Sequence, residues 1–296
     1  MDSDAPIGMI GLGLMGMALS MRLIGAKIPL LGFDIDAERG EMLKANGGGL
    51  ATSVRDLIGR CRAIVIAVYD GEQIKTVLGE IESETAHARQ VLICTTTCTP
   101  DDIIRIAGRA ASAGMRFVEA PISGTSAEVQ DGTAAALVAG EAEAIDAADA
   151  LLAILCPRRV RVGKIGDASR TKLAINLVLQ NNRAALAEGI VFAERLGLDG
   201  RAFLEAAGAS AAYSGVMDTK GLKMLTRDFR PQSHISRTLK DAELILEQAR
   251  CHGLHLPVTA VQTDLLRAAI ALEGPNSDSS AVIEAIRRRA INKVAP

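Results

Sequence analysis

The sequence predicts an α/β N-terminal domain with a mainly parallel sheet, followed by an all-α C-terminal domain. Three observations carry this. Short apolar runs alternate with helical ones through the first half of the chain. The apolar runs are continuous rather than alternating, as strands buried on both faces require. Beyond residue 163 the chain reads as helices only. The expected division is therefore residues 1–163 and 164–296.

Taken in order, "PIGMI" reads as a strand and "MGMALSMRLIGA" as a helix. "IPLLGFD" is a strand, "AERGEMLKANG" a helix, "AIVIAVY" a strand and "EQIKTVLGEI" a helix. "VLICTT", "PDDIIRIAGRAASAG" and "MRFVEAP" continue as strand, helix and strand. This spacing is that of βαβ units and a parallel sheet. "TAAALVAG", "AEAIDAADALLAIL" and "RRVRVG" extend it by a strand, a helix and a strand. A long helix is then predicted from Arg170 to Leu196, apolar nearly all round, which points to burial in a large core. Turns at "GLDG", "DFRPQS", "CHGLHLP" and "EGPNSDSS" separate the later helices.

Composition narrows the function classes. The 296 residues are 49% hydrophobic and 23% charged, with a net charge of -2, so no nucleic-acid surface is indicated. An aromatic content of 2% leaves little for base stacking. The five cysteines form no C-x-x-C pair, which fits a reducing cytoplasm rather than a disulfide framework. The histidines, His87, His234, His252 and His255, have no metal-ligand spacing, so no metal is expected. The acidic opening "MDSDAP" is unlike a secretory signal, and no apolar run approaches the ~20 residues of a membrane span.

The stretch "IGMIGLGLMG" carries the first chemistry. Gly11, Gly13 and Gly16 form G-x-G-x-x-G between a predicted strand and a predicted helix. The first glycine permits a tight turn, the second a close approach to pyrophosphate, and the third close packing of helix on strand. Free N–H groups at the helix start then face the phosphates. Gly11, Leu12, Gly13, Leu14, Met15 and Gly16 are accordingly expected to bind the cofactor. Asp34 ends the next strand, where an acid binds ribose hydroxyls and repels a 2′-phosphate. The next arginine, Arg39, lies five residues further on, so NAD is expected in preference to NADP. Helix capping, the alternative use of such an acid, fits Asp36 better. The domain is thus of Rossmann type.

A second group of residues lies further along. "FVEAPISGT" ends a strand and places Ser123 and Gly124 where ligands of open α/β sheets bind. Lys172 and Asn176, four residues apart, share one face of the long helix. Such a lysine either snorkels to water or is held in a site, where burial would lower its pKa toward the range of a general base. Lys240 and Asp241 follow in "LKDAE", whose simplest reading is a solvated helix face.

These stretches together resemble the 3-hydroxyisobutyrate dehydrogenase family of β-hydroxyacid dehydrogenases. The resemblance runs over nearly the whole chain, through "IGMIGLGLMG", "FVEAPISGT" with "DGT" after it, "TKLAINLVL", "TLKDAELIL" and "DSSAVIEAI". It implies hydride transfer between NAD(P) and a small 3-hydroxy acid, with Lys172 as the catalytic acid/base. It implies that Ser123, Gly124 and Asn176 bind the substrate carboxylate and hydroxyl, and that Lys240 lies beside both substrate and nicotinamide. Thr97, Val68 and Tyr69 match residues that line the cofactor. A homodimer or homotetramer is also implied.

Thr125 stands where the family usually has a second glycine. It is expected to bring a side chain to the substrate pocket. The segment "GASAAYSGVMDTKG" is expected to border that pocket, with Ser210, Tyr213 and Lys220 as candidates to reach it. The competing readings are an imine reductase, which generally lacks the lysine, a 6-phosphogluconate-type enzyme, which has a longer helical domain, and a non-enzymatic NAD-binding module.

Overall fold

The computed structural model describes residues 5–82 and 90–288. Residues 1–4, 83–89 and 289–296 lie outside it, His87 among them. The chain forms two compact units, Met1–Lys172 and Leu173–Pro296.

The first unit is a nine-stranded sheet flanked by helices. Its strands are β1 (Ile7–Ile10), β2 (Leu30–Phe33), β3 (Gly49–Leu50), β4 (Ala63–Ile66), β5 (Val91–Cys94), β6 (Arg116–Glu119), β7 (Ile122–Ser123), β8 (Ala135–Ala139) and β9 (Arg158–Gly163). Their order is β3-β2-β1-β4-β5-β6-β8-β7, with β9 beside β8. The strands from β3 to β6 are parallel; β8 runs antiparallel to β6 and β7 and parallel to β9. Successive side chains of the central strands feed opposite faces, as period two demands. Met9, Val65, Ile93 and Val118 enter one core, and Ile10, Ile64, Ile66 and Leu92 the other.

The helices of this unit are α1 (Leu14–Gly25), α2 (Ala37–Ala45), α3 (Val54–Arg60), α4 (Gly71–Glu82), α5 (Pro100–Ser112), α6 (Ser126–Gln130) and α7 (Ala142–Leu155). Several starts are written in the sequence. Thr99 caps α5 through the Asp102 N–H, with Pro100 at the first helical position and two acids in the first turn. Ser53 caps α3 through the Asp56 N–H, and Val54, Leu57 and Ile58 bury its inner face. The sequence reading passes over α3, β3, α6 and β7. Each is seven residues or shorter, too short for a period to establish itself.

Helix α8 (Asp167–Arg195) runs for 29 residues from the first unit into the second. It departs from expectation in a telling way. Apolar residues on every side predicted burial all round. Instead Ile175, Val178 and Phe192 face outward, at 37%, 56% and 66% exposure. The buried face carries Lys172, Asn176, Gln180 and Arg183. At 3.6 residues per turn these four fall within ~80° of arc, so they form one polar stripe.

The second unit continues with α9 (Gly200–Gly208), a π-turn at Met217–Gly221, α10 (Leu222–Thr226), α11 (Ile235–Cys251) and α12 (Pro257–Glu273). A 3₁₀ turn at Ser279–Ala281 leads into α13 (Val282–Arg288). Its core gathers Leu186, Ile190, Met224, Ile235, Leu266 and Ile283. Among the described residues, no helix is long and apolar enough to cross a membrane.

Candidate functional site

In the first unit, the expected cofactor residues gather at the carboxyl edge of the parallel strands. The strand order reverses between β1 and β4, and ligands of such sheets bind outside the carboxyl ends at this switch point. The glycine turn after β1 lies there. Gly11 has φ +88, and a Cβ on it would lie 2.7 Å from the Ala67 carbonyl oxygen. A Cβ on Gly16 would lie 1.8 Å from the Gly11 oxygen, so α1 packs directly on the turn. Gly13 differs: a Cβ there would meet only the Arg39 Nη1, at 3.7 Å. Its backbone borders open space. No side chain caps α1, so the first N–H groups of Leu14, Met15 and Gly16 are directed out of the helix end. An open glycine and an uncapped helix start fit a pyrophosphate.

Asp34 closes the other end of this cradle. Its Oδ2 accepts the Leu12 N–H at 2.6 Å and its Oδ1 the Asp36 N–H at 2.9 Å. Asp34, the acid expected to meet the ribose, therefore also braces the glycine turn. Asp36 caps α2 through the Glu38 N–H, as the sequence suggested. Arg39 is brought closer than five residues of separation implied. The first turn of α2 folds it back to 3.5 Å from Asp34 and 3.2 Å from Asp36.

Val68 and Tyr69 follow β4, and Thr97 follows β5. The Val68 carbonyl accepts the Thr96 hydroxyl at 3.0 Å, which ties these two loops together. The Tyr69 N–H is held by Gln73 at 2.8 Å.

Ser123 ends β7 and Gly124 follows it at φ +150. Thr125 has a local structural role as well. It forms a capping box at the start of α6: its Oγ1 accepts the Glu128 N–H at 3.2 Å, and its own N–H donates to Glu128 Oε2 at 2.7 Å. The amide is taken up by the helix start, and the hydroxyl accepts there while keeping its own O–H as a donor.

Glu119, at the end of β6, was not singled out from the sequence. It is fully buried. Its Oε2 accepts the Gly166 N–H at 2.7 Å, and its Oε1 accepts both the N–H and the hydroxyl of Ser169 at 2.5 Å. It thus anchors the start of α8, three residues before Lys172. Burial pushes its carboxyl above the ordinary carboxylate range, against these hydrogen bonds, which act to lower it. Lys172 itself is 6% exposed.

In the second unit, Asn176 donates from Nδ2 to Asp241 Oδ2 at 2.9 Å, and Lys240 Nζ lies 3.1 Å from Asp241 Oδ1. Asp241 is buried and the Lys240 side chain only 15% exposed. The solvated-face reading of "LKDAE" is thereby overturned. Asp241 can only accept from an amide, so it fixes the orientation of the Asn176 side chain. The buried Asn176 Oδ1 is left without a partner. No periodicity marks Asp241; the adjoining lysine was the available signal.

Lys220 is buried in an ion pair with Asp278, Nζ standing 2.9 Å from both carboxylate oxygens. Tyr213 is exposed, with its hydroxyl on Asp218. Ser210 donates back to the Ala207 carbonyl.

A doubly wound sheet with an open phosphate turn at its switch point defines an NAD(P)-binding oxidoreductase class. Residues 6–163 match the family described as the NAD binding domain of 6-phosphogluconate dehydrogenase. Residues 166–286 match the one described as NAD-binding of NADP-dependent 3-hydroxyisobutyrate dehydrogenase. The chain belongs to the β-hydroxyacid dehydrogenase family that these two domains make up. It is 28% identical over 291 residues to 2-hydroxy-3-oxopropionate reductase of Escherichia coli strain K12, across 98% of this chain and 99% of that protein. The structure of 3-hydroxyisobutyrate dehydrogenase from Salmonella typhimurium has the same fold, with a TM-score of 0.86 at 24% identity over 95% of this chain and 99% of that one. An imine reductase from a Pseudomonas species is more distant, with a TM-score of 0.67 at 21% identity over 96% and 100%.

Proposed function

We propose that the protein interconverts a small 3-hydroxy acid and its aldehyde or keto acid, with Lys172 as acid/base. The observation that carries this reading is the buried stripe that places Lys172 and Asn176 one turn apart on α8. A nicotinamide cofactor, when bound, would supply the hydride acceptor or donor. Lys172 takes the proton of the substrate hydroxyl in oxidation and gives it back in reduction. Asn176 keeps a second Nδ2 N–H beside the one given to Asp241, a donor for the substrate's hydroxyl oxygen or carboxylate. Ser123 and Gly124 are the residues of the first unit assigned to the carboxylate in this reading. Thr125, held by its capping box, brings its hydroxyl to the same region as a further donor. Positioning of this kind is worth several powers of ten in rate.

NAD is the cofactor this reading favours, because the Asp34 carboxylate repels a 2′-phosphate. A second reading, NADP, is favoured by Arg39, whose guanidinium stands 3.5 Å from Asp34. The test is an assay on a panel of small hydroxy acids and aldehyde acids, with NAD(H) and NADP(H) in parallel. Turnover with NADH at a higher kcat/KM than with NADPH is expected. The reverse ratio establishes the NADP reading, and no turnover on any substrate favours a binding module instead.

Assembly as a homodimer or homotetramer through the helical unit is part of the same reading. The outward Val178 and Phe192 of α8, with Val258 and Val261 of α12, support it. Sedimentation velocity is expected to show an oligomer that Phe192→Glu converts to monomers. A monomeric wild-type protein refutes it.

A further inference from the structure

The last turn of α1 carries Arg22, a cation with no part in the hydride-transfer reading. Its Nε donates to the Ile154 carbonyl at 2.6 Å and its Nη1 to the Gln130 carbonyl at 3.1 Å. Gln130 is the last residue of α6, and Ile154 lies in the last turn of α7. Helix ends leave such carbonyls without an intrahelical partner, and a guanidinium can donate to two of them from one rigid fork. Arg22 therefore ties the ends of three helices together. Gly132 makes room for it: at φ +73, a Cβ there would lie 2.9 Å from Nη1. Beside the guanidinium is a cleft of about 440 Å³, lined by Met21, Arg22, Gly25, Ala26, Gln130 and Ile154.

The other end of α6 adjoins the residues assigned to the substrate carboxylate. The helix stands between Ser123 of β7 and Ala135 of β8, which pair directly. The intervening segment is closed on itself. Thr125 and Glu128 form the capping box, and the Glu128 carbonyl accepts the N–H groups of Thr133 and Ala134 at 2.9 and 3.0 Å. A Cβ on Gly124 would lie 2.8 Å from the Ala134 Cβ, so the two arms touch. Residues 123–135 thus form one closed piece. It rests on α1, with the fully buried Val129 in the same core as Leu19 and Leu23. Apolar contact is non-directional, whereas a charge-assisted hydrogen bond fixes distance and angle. The two bonds of Arg22 set where along α1 this piece sits, and α1 itself begins at the glycine turn.

We propose that Arg22 is a positioning residue for the substrate carboxylate: by holding the end of α6 against α1, it fixes Ser123 and Gly124 relative to the glycine turn. The role rests on the assignment of Ser123 and Gly124 to the carboxylate made above. Arg22 acts through α6 and touches neither substrate nor cofactor in this reading. Its loss lets the 123–135 piece shift against α1 and costs substrate positioning, with the glycine turn left intact.

The test compares Arg22→Met, Arg22→Lys and Ser123→Ala with the wild type, each as the full chain. In hydrogen–deuterium exchange, the amides of residues 123–135 are expected to exchange faster in Arg22→Met, with those of residues 11–16 unchanged. For the substrate found by the panel assay, kcat/KM is expected to fall about 10-fold, mainly through KM, since a misplacement of ~1 Å can cost ~10²-fold. NAD(P)H affinity, read by cofactor fluorescence, is expected to be unchanged. An ammonium has no fork to span two carbonyls, so Arg22→Lys is expected to fall between Arg22→Met and the wild type. Should Arg22→Met fail to fold, Arg22→Lys decides by the same readouts. Unchanged exchange at 123–135 overturns the tie, and faster exchange spread evenly over the first unit marks a merely structural loss and overturns the role. An unchanged KM in the Arg22 variants beside a raised KM in Ser123→Ala overturns the role and leaves the carboxylate assignment standing. An unchanged KM in Ser123→Ala removes the assignment itself, and the role of Arg22 with it.

Discussion

Replacing Lys172 by alanine is expected to lower kcat by at least ~10²-fold, the scale of lost acid–base catalysis. NAD(P)H binding, read by cofactor fluorescence, should be unchanged, because the glycine turn and Asp34 belong to a different part of the first unit. Lys172→Arg should be as poor as the alanine variant. A guanidinium keeps the charge but does not exchange its proton near neutral pH. The pair of variants separates proton transfer from simple charge: recovery by arginine would reassign Lys172 to electrostatic binding. Near-normal turnover in Lys172→Ala would remove it from the chemistry altogether. Since Lys172 sits 6% exposed on a helix, circular dichroism and Tm of each variant must accompany the rates.

Glu119→Ala is expected to have the largest effect on stability. The Gly166 and Ser169 N–H groups and the Ser169 hydroxyl would lose their acceptor in a buried place. At about 1–3 kcal/mol for each unsatisfied group, the loss is about 4 kcal/mol. For a chain of this size that is a fall of roughly 10 °C in Tm. A drop in kcat should accompany it, because Lys172 follows Ser169 by three residues on the same helix face. Glu119→Gln keeps an acceptor oxygen and should recover part of both losses.

The acid also leaves a signature in pH. Its carboxyl is raised in the folded chain above its ordinary 4.5, so between the two values the native state holds more protons than the unfolded one. Stability therefore falls as pH rises from about 4.5 through the raised value. Denaturant titrations across that window should show the slope in the wild type and its loss in Glu119→Gln. An unchanged slope would mean that another group is responsible.

Much of the first unit was legible because its signals are local. Continuous apolar strands and the G-x-G-x-x-G turn each declare themselves within ten residues. The helical unit was harder to read. On α8 the apolar residues go all the way round, and only the placement of four polar ones distinguishes inside from outside. Polar residues are ordinarily assigned outward, so the stripe from Lys172 to Arg183 reads the wrong way until the burial is known. Lys172 and Asn176 were found because they stand four apart; Gln180 and Arg183, on the same face, were not.

Partnerships across long separations were likewise out of reach. Glu119 meets Ser169 fifty residues later, and Lys220 meets Asp278 fifty-eight later. Lys220 looked like a pocket residue for this reason: a lysine beside glycine in a loop gives no hint of a buried carboxylate waiting near the C-terminus. The helix-capping role of Thr125 was missed by comparison with a glycine. Its own neighbours, S-A-E after it, spell a capping box.

The double duty of Asp34 bears on any attempt to redesign cofactor preference. The usual route to accept a 2′-phosphate is to neutralise the ribose acid. Here that change would also release the Leu12 amide, and with it the glycine turn proposed to receive the pyrophosphate. Selectivity and loop rigidity are thus wired to one side chain. A productive swap has to begin at Arg39 and its ties to Asp34 and Asp36, leaving the brace in place.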